Sequence, residues 1–465
     1  MKELCIGFMT IGAKFGKKQR NQMPVTCRKD KCRRFFVLFF CMICFCGGNM
    51  NHVCHAASDI KLELYATGAA LIDGESGRVL YGKQECEPMA NASTTKVMTC
   101  IIVLENCSQD EKVTISSYAA SMPKVNCGLK CGESYAVKDL LYSMMLESHN
   151  DSAVALAEHI GKQLINNLHD KDEKDFTQEE SKEALKAFSN LMNAKAGRIG
   201  CEDTWFITPN GLDATMTVTT KEGETYEIEH HTTAKDLAKI LAYCILKSPS
   251  KQEFLKITQT PVHSFSANGR NFYLQNHNAF LTMMEGAISG KTGFTGKAGY
   301  CYVGALQKDG RVFVVSLLAC GWPNNRNYKW KDMRKLMEYG LSNYRRVDLE
   351  KDGVLLREED LPKLVVAQGQ GQFIGETVRL GLKISTRKSG RDFEGFLVSG
   401  DEKVETRVLL PDELAAPVGE GQRIGEILYV IGEEVLLKEE IVADKGVRRI
   451  DFAWCLSRVW QCFCP

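Results

Sequence analysis

The chain has 465 residues, 44% of them hydrophobic, which is long enough to bury more than one ordinary core. Its 59 lysines and arginines offset 58 aspartates and glutamates, leaving a net charge of +1. That balance, with no basic patch carrying interleaved aromatics through the middle of the chain, excludes a nucleic-acid partner and a strongly acidic or basic docking surface as the organising feature.

Residues 1–56 have the layout of a secretory signal peptide: Arg28, Lys29, Lys31, Arg33 and Arg34, then the apolar run Phe35 to Cys46, then the small residues Ala56-Ala57-Ser58. The run is too short to expect a membrane span, and no lipoprotein box precedes its cysteines. Met23 would open a signal of conventional length. Seven of the 19 cysteines would leave with that segment. The nine from Cys86 to Cys320 cannot all pair among themselves, which argues against a disulfide scaffold. Cys127 and Cys131 have no accompanying His or Cys set, so neither a metal nor another cofactor is expected.

A hairpin-like stretch, Ala69 to Tyr81, opens the exported part. Asn91-Ala92-Ser93-Thr94-Thr95-Lys96 then leads into the apolar, helix-like run Val97 to Leu104. Ser93 and Lys96 are three apart and share a helix face. The lysine amine can therefore reach a serine hydroxyl, which is a poor nucleophile until a neighbour takes its proton. The same spacing occurs at Ser58, Ser121, Ser248 and Ser385, but only Ser93 leads straight into a long helix-like run. Taken alone, the pair also reads as a helix N-cap beside a solvated lysine.

Helix-like Val137 to Leu146 is followed by Ser148-His149-Asn150, residue types that also favour a turn and cap. The mostly acidic run His169 to Lys182 reads as a solvated insertion. Lys291-Thr292-Gly293 precedes the strand-like runs Tyr300 to Leu306 and Val312 to Leu318. Its chance expectation in a chain of average composition is about 0.1.

Helix-like Lys331 to Asn343 closes a first domain, 57–345, and the charged stretch 346–362 reads as a linker. Short apolar runs at Val378 to Ile384, Gly395 to Val398, Arg407 to Leu410, Ile424 to Ile431 and Glu434 to Leu437, with a turn at Ser389-Gly390-Arg391, predict a small all-β domain over 363–446. In the tail, 447–465, a helix from Arg448 to Cys464 would gather Phe452, Cys455, Leu456, Val459, Trp460 and Phe463 into one stripe suited to a membrane surface. Trp454 falls on the other face, and docking on the protein's own surface is the alternative.

With S-x-x-K, S-x-N and K-T-G in that order, the chain resembles the penicillin-binding proteins and serine β-lactamases, above all the low-molecular-weight D-alanyl-D-alanine carboxypeptidases. Ala69 to Asp73, Gly77 to Tyr81, Thr208-Pro209-Asn210-Gly211-Leu212-Asp213 and Ala298-Gly299-Tyr300 extend the likeness, as does Ala416 to Gln422 in the second domain. The resemblance implies an α/β (α+β) fold: an antiparallel sheet flanked by helices, a helical lobe, and the β-domain behind. It further implies a serine peptidase that removes the terminal D-alanine from peptidoglycan stem pentapeptides through an acyl-enzyme on Ser93. Lys96 would be the base, Ser148 the proton relay to the leaving amine, and Asn150 a ligand of the substrate amide. Lys291 and Thr292 would hold the terminal carboxylate, and Gly293 would leave room for the acyl donor along its strand. The N–H groups of Ser93 and Phe294 would form the oxyanion hole.

β-Lactam antibiotics would be slowly released mimics, and the extracytoplasmic face of the bacterial membrane would be the location. Three positions depart from the family pattern. His149 replaces a small residue and reads as a wall of the site, Asn91 replaces a proline and predicts a looser helix entry, and His277 stands where some relatives carry a carboxylate-holding arginine. A β-lactamase is the first alternative, but no E-x-x-L-N lies between Asn150 and Lys291. A non-turnover penicillin-binding sensor is the second.

Overall fold

Two runs of the chain, 68–73 and 311–318, are apolar on both faces, the pattern of strands covered from both sides. In the computed structural model, which describes residues 61–219, 223–385, 395–400 and 402–463, they form the centre of a sheet. The expected signal segment, Met23, Ser58 and the turn at Ser389-Gly390-Arg391 lie outside the described residues.

The first domain begins with β1 (Gly68–Asp73) and β2 (Val79–Lys83), then a 3₁₀ turn (Ala92–Thr95) that runs directly into α1 (Lys96–Asn106). A hairpin of β3 (Lys112–Thr114) and β4 (Ser134–Ala136) leads to α2 (Val137–Leu146), α3 (Asn150–Lys162) and α4 (Gln178–Ile199). A second hairpin, β5 (Thr215–Thr219) and β6 (Thr225–Glu229), precedes α5 (Ala234–Ala242) and α6 (Lys251–Gln259). A third, β7 (Val262–Ala267) and β8 (Arg270–Gln275), precedes β9 (Ala287–Thr295), β10 (Gly299–Lys308), β11 (Arg311–Leu318) and α7 (Tyr328–Asn343).

Five strands make one antiparallel sheet in the order β2-β1-β11-β10-β9. Leu71 faces Val315 and Ile72 faces Val314, so alternate residues go to opposite sides. Leu71, Phe313, Val315 and Leu317 pack with Met333, Leu336 and Met337 of α7. Ala70, Ile72, Val303 and Val314 pack on the other side with Leu237 and Leu241 of α5, and that core continues into the helical lobe. Each fully buried side chain of this kind contributes about 1.5–3 kcal/mol. A Cβ at Gly340 would stand 2.9 Å from the Phe313 ring, so glycine sets the approach of α7 to the sheet.

The second domain is all-β, as its short runs predict. β12 (Tyr344–Asp348) lies in the stretch between the domains, and it pairs with β16 (Gly395–Ser399) across the intervening β13 (Leu364–Ala367), β14 (Val378–Leu380) and β15 (Leu382–Ile384). Beyond them come β17 (Glu405–Leu409), β18 (Glu413–Ala415), β19 (Arg423–Ile431) and β20 (Glu434–Ala443). The expected single run Val378 to Ile384 breaks at Gly381, where a Cβ would overlap the Asp444 carboxylate. Its first half pairs with β13 and its second with β20. Leu349, inside the stretch 346–362, is fully buried beside Val347 and Phe396.

The hairpin β1–β2 fastens the two domains together. Arg78, itself buried, donates to Glu402 at 2.8 and 2.5 Å, to Glu434 at 2.8 Å and to the Leu397 carbonyl at 3.0 Å. Beside it the Asp73 carboxylate accepts from the Leu397 N–H at 3.0 Å, and burial pushes its pKa up to about 6.

Two other expectations need correction. The run His169 to Lys182 is not simply solvated: Leu168, Phe176 and Ala184 form a small core of their own, and Glu173 is buried. The tail helix, α8, is shorter than expected, Phe452–Phe463. None of its side chains is buried, and Phe452 and Trp460 are 83% and 67% exposed. Among the described residues no helix is long and apolar enough to cross a membrane.

Candidate active site

Ser93 sits on the 3₁₀ turn rather than in the helix proper, and Lys96 is the first residue of α1. Asn91 closes this turn. Its side-chain amide donates to Thr95 Oγ1 at 2.9 Å and to Thr94 Oγ1 at 3.3 Å, and its carbonyl accepts from Thr94 Oγ1 at 2.6 Å. The looser helix entry expected from the missing proline is therefore not what the residue gives, because hydrogen bonds do the proline's work. Ala92 in between is held at φ +48, a strained value for a residue with a Cβ.

The turn and α1 place the Lys96 amine in a fully buried position with three partners: Ser93 Oγ at 2.8 Å, Asn150 Oδ1 at 2.9 Å and the Asn210 carbonyl at 3.0 Å. Two of these can only accept, whereas a hydroxyl can also donate. Charged, the amine donates to all three; uncharged, it keeps two N–H groups for the carbonyl oxygens and a lone pair for the Ser93 hydroxyl. Burial first, and the nearby Lys291 second, hold the Lys96 pKa well below the ordinary lysine value.

Asn150 opens α3, with its side-chain amide donating to the Pro123 carbonyl at 3.3 Å. Its neighbour Asp151 accepts from the N–H groups of Cys127, Gly128 and Leu129 at 3.0, 2.9 and 3.2 Å, which pins the facing loop. Ser148, just outside the helix, is held at φ +66. Its Oγ accepts from Lys291 Nζ at 2.9 Å. Lys291 is buried in β9, and desolvation lowers its pKa to about 7. The site thus contains two serine–lysine pairs.

Lys-Thr-Gly lies within β9, which has β10 on one side and no strand neighbour on the other among the described residues. A Cβ on Gly293 would stand 3.0 Å from Ser93 N, Thr94 N and the Asn91 carbonyl. Glycine is needed here first to admit the turn that carries Ser93 against the strand. Phe294 is 42% exposed, its ring 4.6 Å from that of Tyr300. His149 caps α3 from a half-buried position and uses Nδ1 on Ser143 Oγ at 2.8 Å. His277 uses Nε2 on Glu147 at 2.7 Å.

The reading from residues alone passed over Asn210 as a site member. Gly211 has φ +80, and a Cβ there would overlap the Ala92 carbonyl and come 2.7 Å from Thr95 Oγ1. The stretch Thr208 to Asp213 had signalled only likeness, because its contribution to Lys96 is a backbone oxygen.

A sheet with helices on both faces, carrying a buried lysine against a serine at its edge, is an arrangement compatible with a serine-type hydrolase. The family model for D-alanyl-D-alanine carboxypeptidases matches residues 54–171 and 181–319. The chain belongs to that family and is a serine-type D-alanyl-D-alanine carboxypeptidase. It is 29% identical to the D-alanyl-D-alanine carboxypeptidase DacF of Bacillus subtilis over 399 residues, 84% of this chain and 88% of the relative. With DacB2 of Mycobacterium tuberculosis it shares 28% over 271 residues, 58% of this chain and 80% of that one. In fold it matches penicillin binding protein 5 from Haemophilus influenzae with a TM-score of 0.60 at 22% identity, covering 84% of this chain and 100% of that one. DacD from Francisella tularensis matches with a TM-score of 0.56 at 22% identity, covering 87% and 99%.

Proposed function

We propose that Ser93 is the nucleophile and Lys96 its base in cleavage of the bond between two D-alanines at the end of a peptidoglycan stem peptide. The observation that carries this reading is the buried Lys96 amine with a hydroxyl and two carbonyl oxygens as its partners. Ser93 Oγ attacks the penultimate carbonyl as its proton passes to Lys96, and the oxyanion forms against the N–H groups of Ser93 and Phe294. Ser148 relays a proton to the departing amine, the C–N bond breaks, and D-alanine leaves. Water then attacks the ester, returning Ser93 with its proton. Asn150 binds the substrate amide. Lys291, when charged, and Thr292 take the terminal carboxylate, and the acyl donor adds as a strand beside β9 across Gly293.

β-Lactams acylate the same serine in this reading. Residues 57–345 would be the catalytic domain and 346–362 the connection. Residues 363–446 would be a spacer and the tail, 447–465, a peripheral anchor on the extracytoplasmic face of the membrane. The exposed apolar side chains of α8 support the anchor.

The test is D-alanine release from diacetyl-L-Lys-D-Ala-D-Ala, with Ser93→Ala alongside and fluorescent penicillin as a second readout. Release that disappears in Ser93→Ala is expected. Stable labelling without release would point to a sensor, and rapid loss of label to a β-lactamase.

A further inference from the structure

One cluster of ligating side chains takes no part in this chemistry. Cys107 closes α1, Glu111 precedes β3, and His159 lies near the end of α3; their Sγ, carboxylate oxygen and ring nitrogen all fall within 4.8 Å of one another. We propose that Cys107, Glu111 and His159 form a structural site for one zinc ion.

The arrangement of His159 is the strongest argument. Its Nδ1 is 2.7 Å from the carboxylate of Glu173, which is buried, and its Nε2 is 3.4 Å from Glu111 Oε2. A carboxylate only accepts, so Nδ1 carries the hydrogen and donates it to Glu173. With Nδ1 engaged by Glu173, Nε2 faces the Glu111 carboxylate, and a positive charge belongs between them: either a proton on Nε2 or a metal ion that takes the place of that proton. A histidine aimed at a metal by a buried carboxylate on its other nitrogen is the usual way a zinc ligand is oriented.

Charge agrees. Burial and Glu111 keep the Cys107 thiol protonated without metal, so a zinc ion would displace that proton; the thiolate, Glu111 and Glu173 against one cation, Lys162, which is 3.0 Å from Glu173, would then leave two negative charges for the ion to cancel. Thiolate, imidazole and carboxylate together suit tetrahedral zinc rather than calcium or magnesium. Zinc–ligand bonds of about 2.0–2.3 Å require the three groups to draw together by at most about 1 Å. Cys107 is part-exposed and Glu111 exposed, so an ion can enter from solvent.

Two facts bear on the site. The segment that supplies Glu173 lies between the two stretches matched by the family model, which end at residue 171 and resume at 181. In addition, α1 begins at Lys96 and ends at Cys107, while α3 begins at Asn150 and reaches the cluster at His159. The two helices that deliver catalytic-site groups at one end would be clamped at the other, about 14–16 Å away at 1.5 Å per residue.

The experiment titrates the full chain, stripped of metal with a chelator, with Co²⁺ and then Zn²⁺. The expected result is one Co²⁺ per chain with a thiolate-to-cobalt charge-transfer absorption, which Zn²⁺ bleaches and Cys107→Ser abolishes. Glu173→Gln lowers Zn²⁺ affinity about 10–100-fold, and Glu111→Gln at least about tenfold by the same reasoning. Fluorescent-penicillin labelling of each variant verifies its fold. Absence of the absorption at one equivalent overturns the proposal, as does an absorption that survives Cys107→Ser. Should Cys107→Ser fail to fold, unchanged Zn²⁺ affinity in a folded Glu111→Gln overturns it equally, because Glu111 is an exposed side chain.

Discussion

Gly211→Ala separates the contribution of backbone placement from that of catalytic side chains. Two costs follow from the structure. At φ +80 an alanine suffers the left-handed penalty, about 1–2 kcal/mol. Its Cβ would also overlap the Ala92 carbonyl and stand 2.7 Å from Thr95 Oγ1, where ordinary contact begins at 3.4 Å. Either the Ser93 turn or the Asn210 carbonyl must withdraw by about 1 Å, and if Ser93 is the nucleophile as proposed, a misplacement of that size costs about 100-fold in rate. The control is Gly77→Ala, with φ +78 and no atom within 4 Å of the added carbon. Both variants should lose stability in thermal melts, Gly211→Ala the more because its overlap adds to the strain, while only Gly211→Ala should acylate with fluorescent penicillin about 100-fold more slowly. Acylation by Gly211→Ala within about threefold of the parent would refute the reasoning, as would an equal loss in Gly77→Ala.

Burial lowers the Lys291 pKa to about 7, so if Lys291 holds the substrate carboxylate as proposed, binding should weaken and kcat/KM fall as pH rises through that value. Lys291→Arg keeps its charge and should carry this alkaline limb to higher pH; a limb that stays in place would assign it to another group. The same shift has a stability consequence with a definite sign. Between pH 7 and 10.5 the unfolded chain holds a proton on Lys291 that the folded chain does not, so stability should rise with pH across that window and the rise should shrink in Lys291→Met. Arg78→Ala strips the buried Leu397 carbonyl and two glutamates of their partner; a loss of about 3 kcal/mol and faster proteolysis between residues 349 and 363 are expected, and unchanged cleavage would place the domain contact elsewhere. Leu456→Asp with Trp460→Asp should abolish flotation with anionic vesicles, and undiminished flotation would remove α8 as the anchor.

The parts of the site that could be read from the sequence are those in which a side chain does the chemistry and its neighbours share one local element. Ser93 and Lys96 are one turn apart, and Lys-Thr-Gly is contiguous. What escaped was contributed by backbone or assembled from distant positions. The Asn210 carbonyl has no residue signature, and the positive φ at Ala92 and Ser148 is imposed by surroundings rather than by residue type. Cys107 and Glu111 share the loop between α1 and β3 while His159 lies on α3, nearly fifty residues on, so no local spacing gathers the three. In the β-domain the short runs were visible, but their partners were not. β13 lies parallel to β18, nearly fifty residues on, and the break at Gly381 depends on Asp444. Asn91 was misjudged because the proline pattern describes one way to stiffen a turn and hydrogen bonds supply another.

The unpaired outer edge of β9 carries a further implication for what this enzyme can tell apart. Hydrogen bonds along a strand edge are made with amides and carbonyls that every peptide possesses, so they grip an extended donor without asking what its side chains are. If Ser93 and Lys291 act as proposed, discrimination would be concentrated at the terminus, where Lys291 would meet a carboxylate and where the handedness of the last residues would decide whether the carbonyl falls over Ser93. Such an enzyme reads endings. It would accept stem peptides of differing composition that finish alike, and reject a chemically similar peptide whose final carboxylate is amidated or extended.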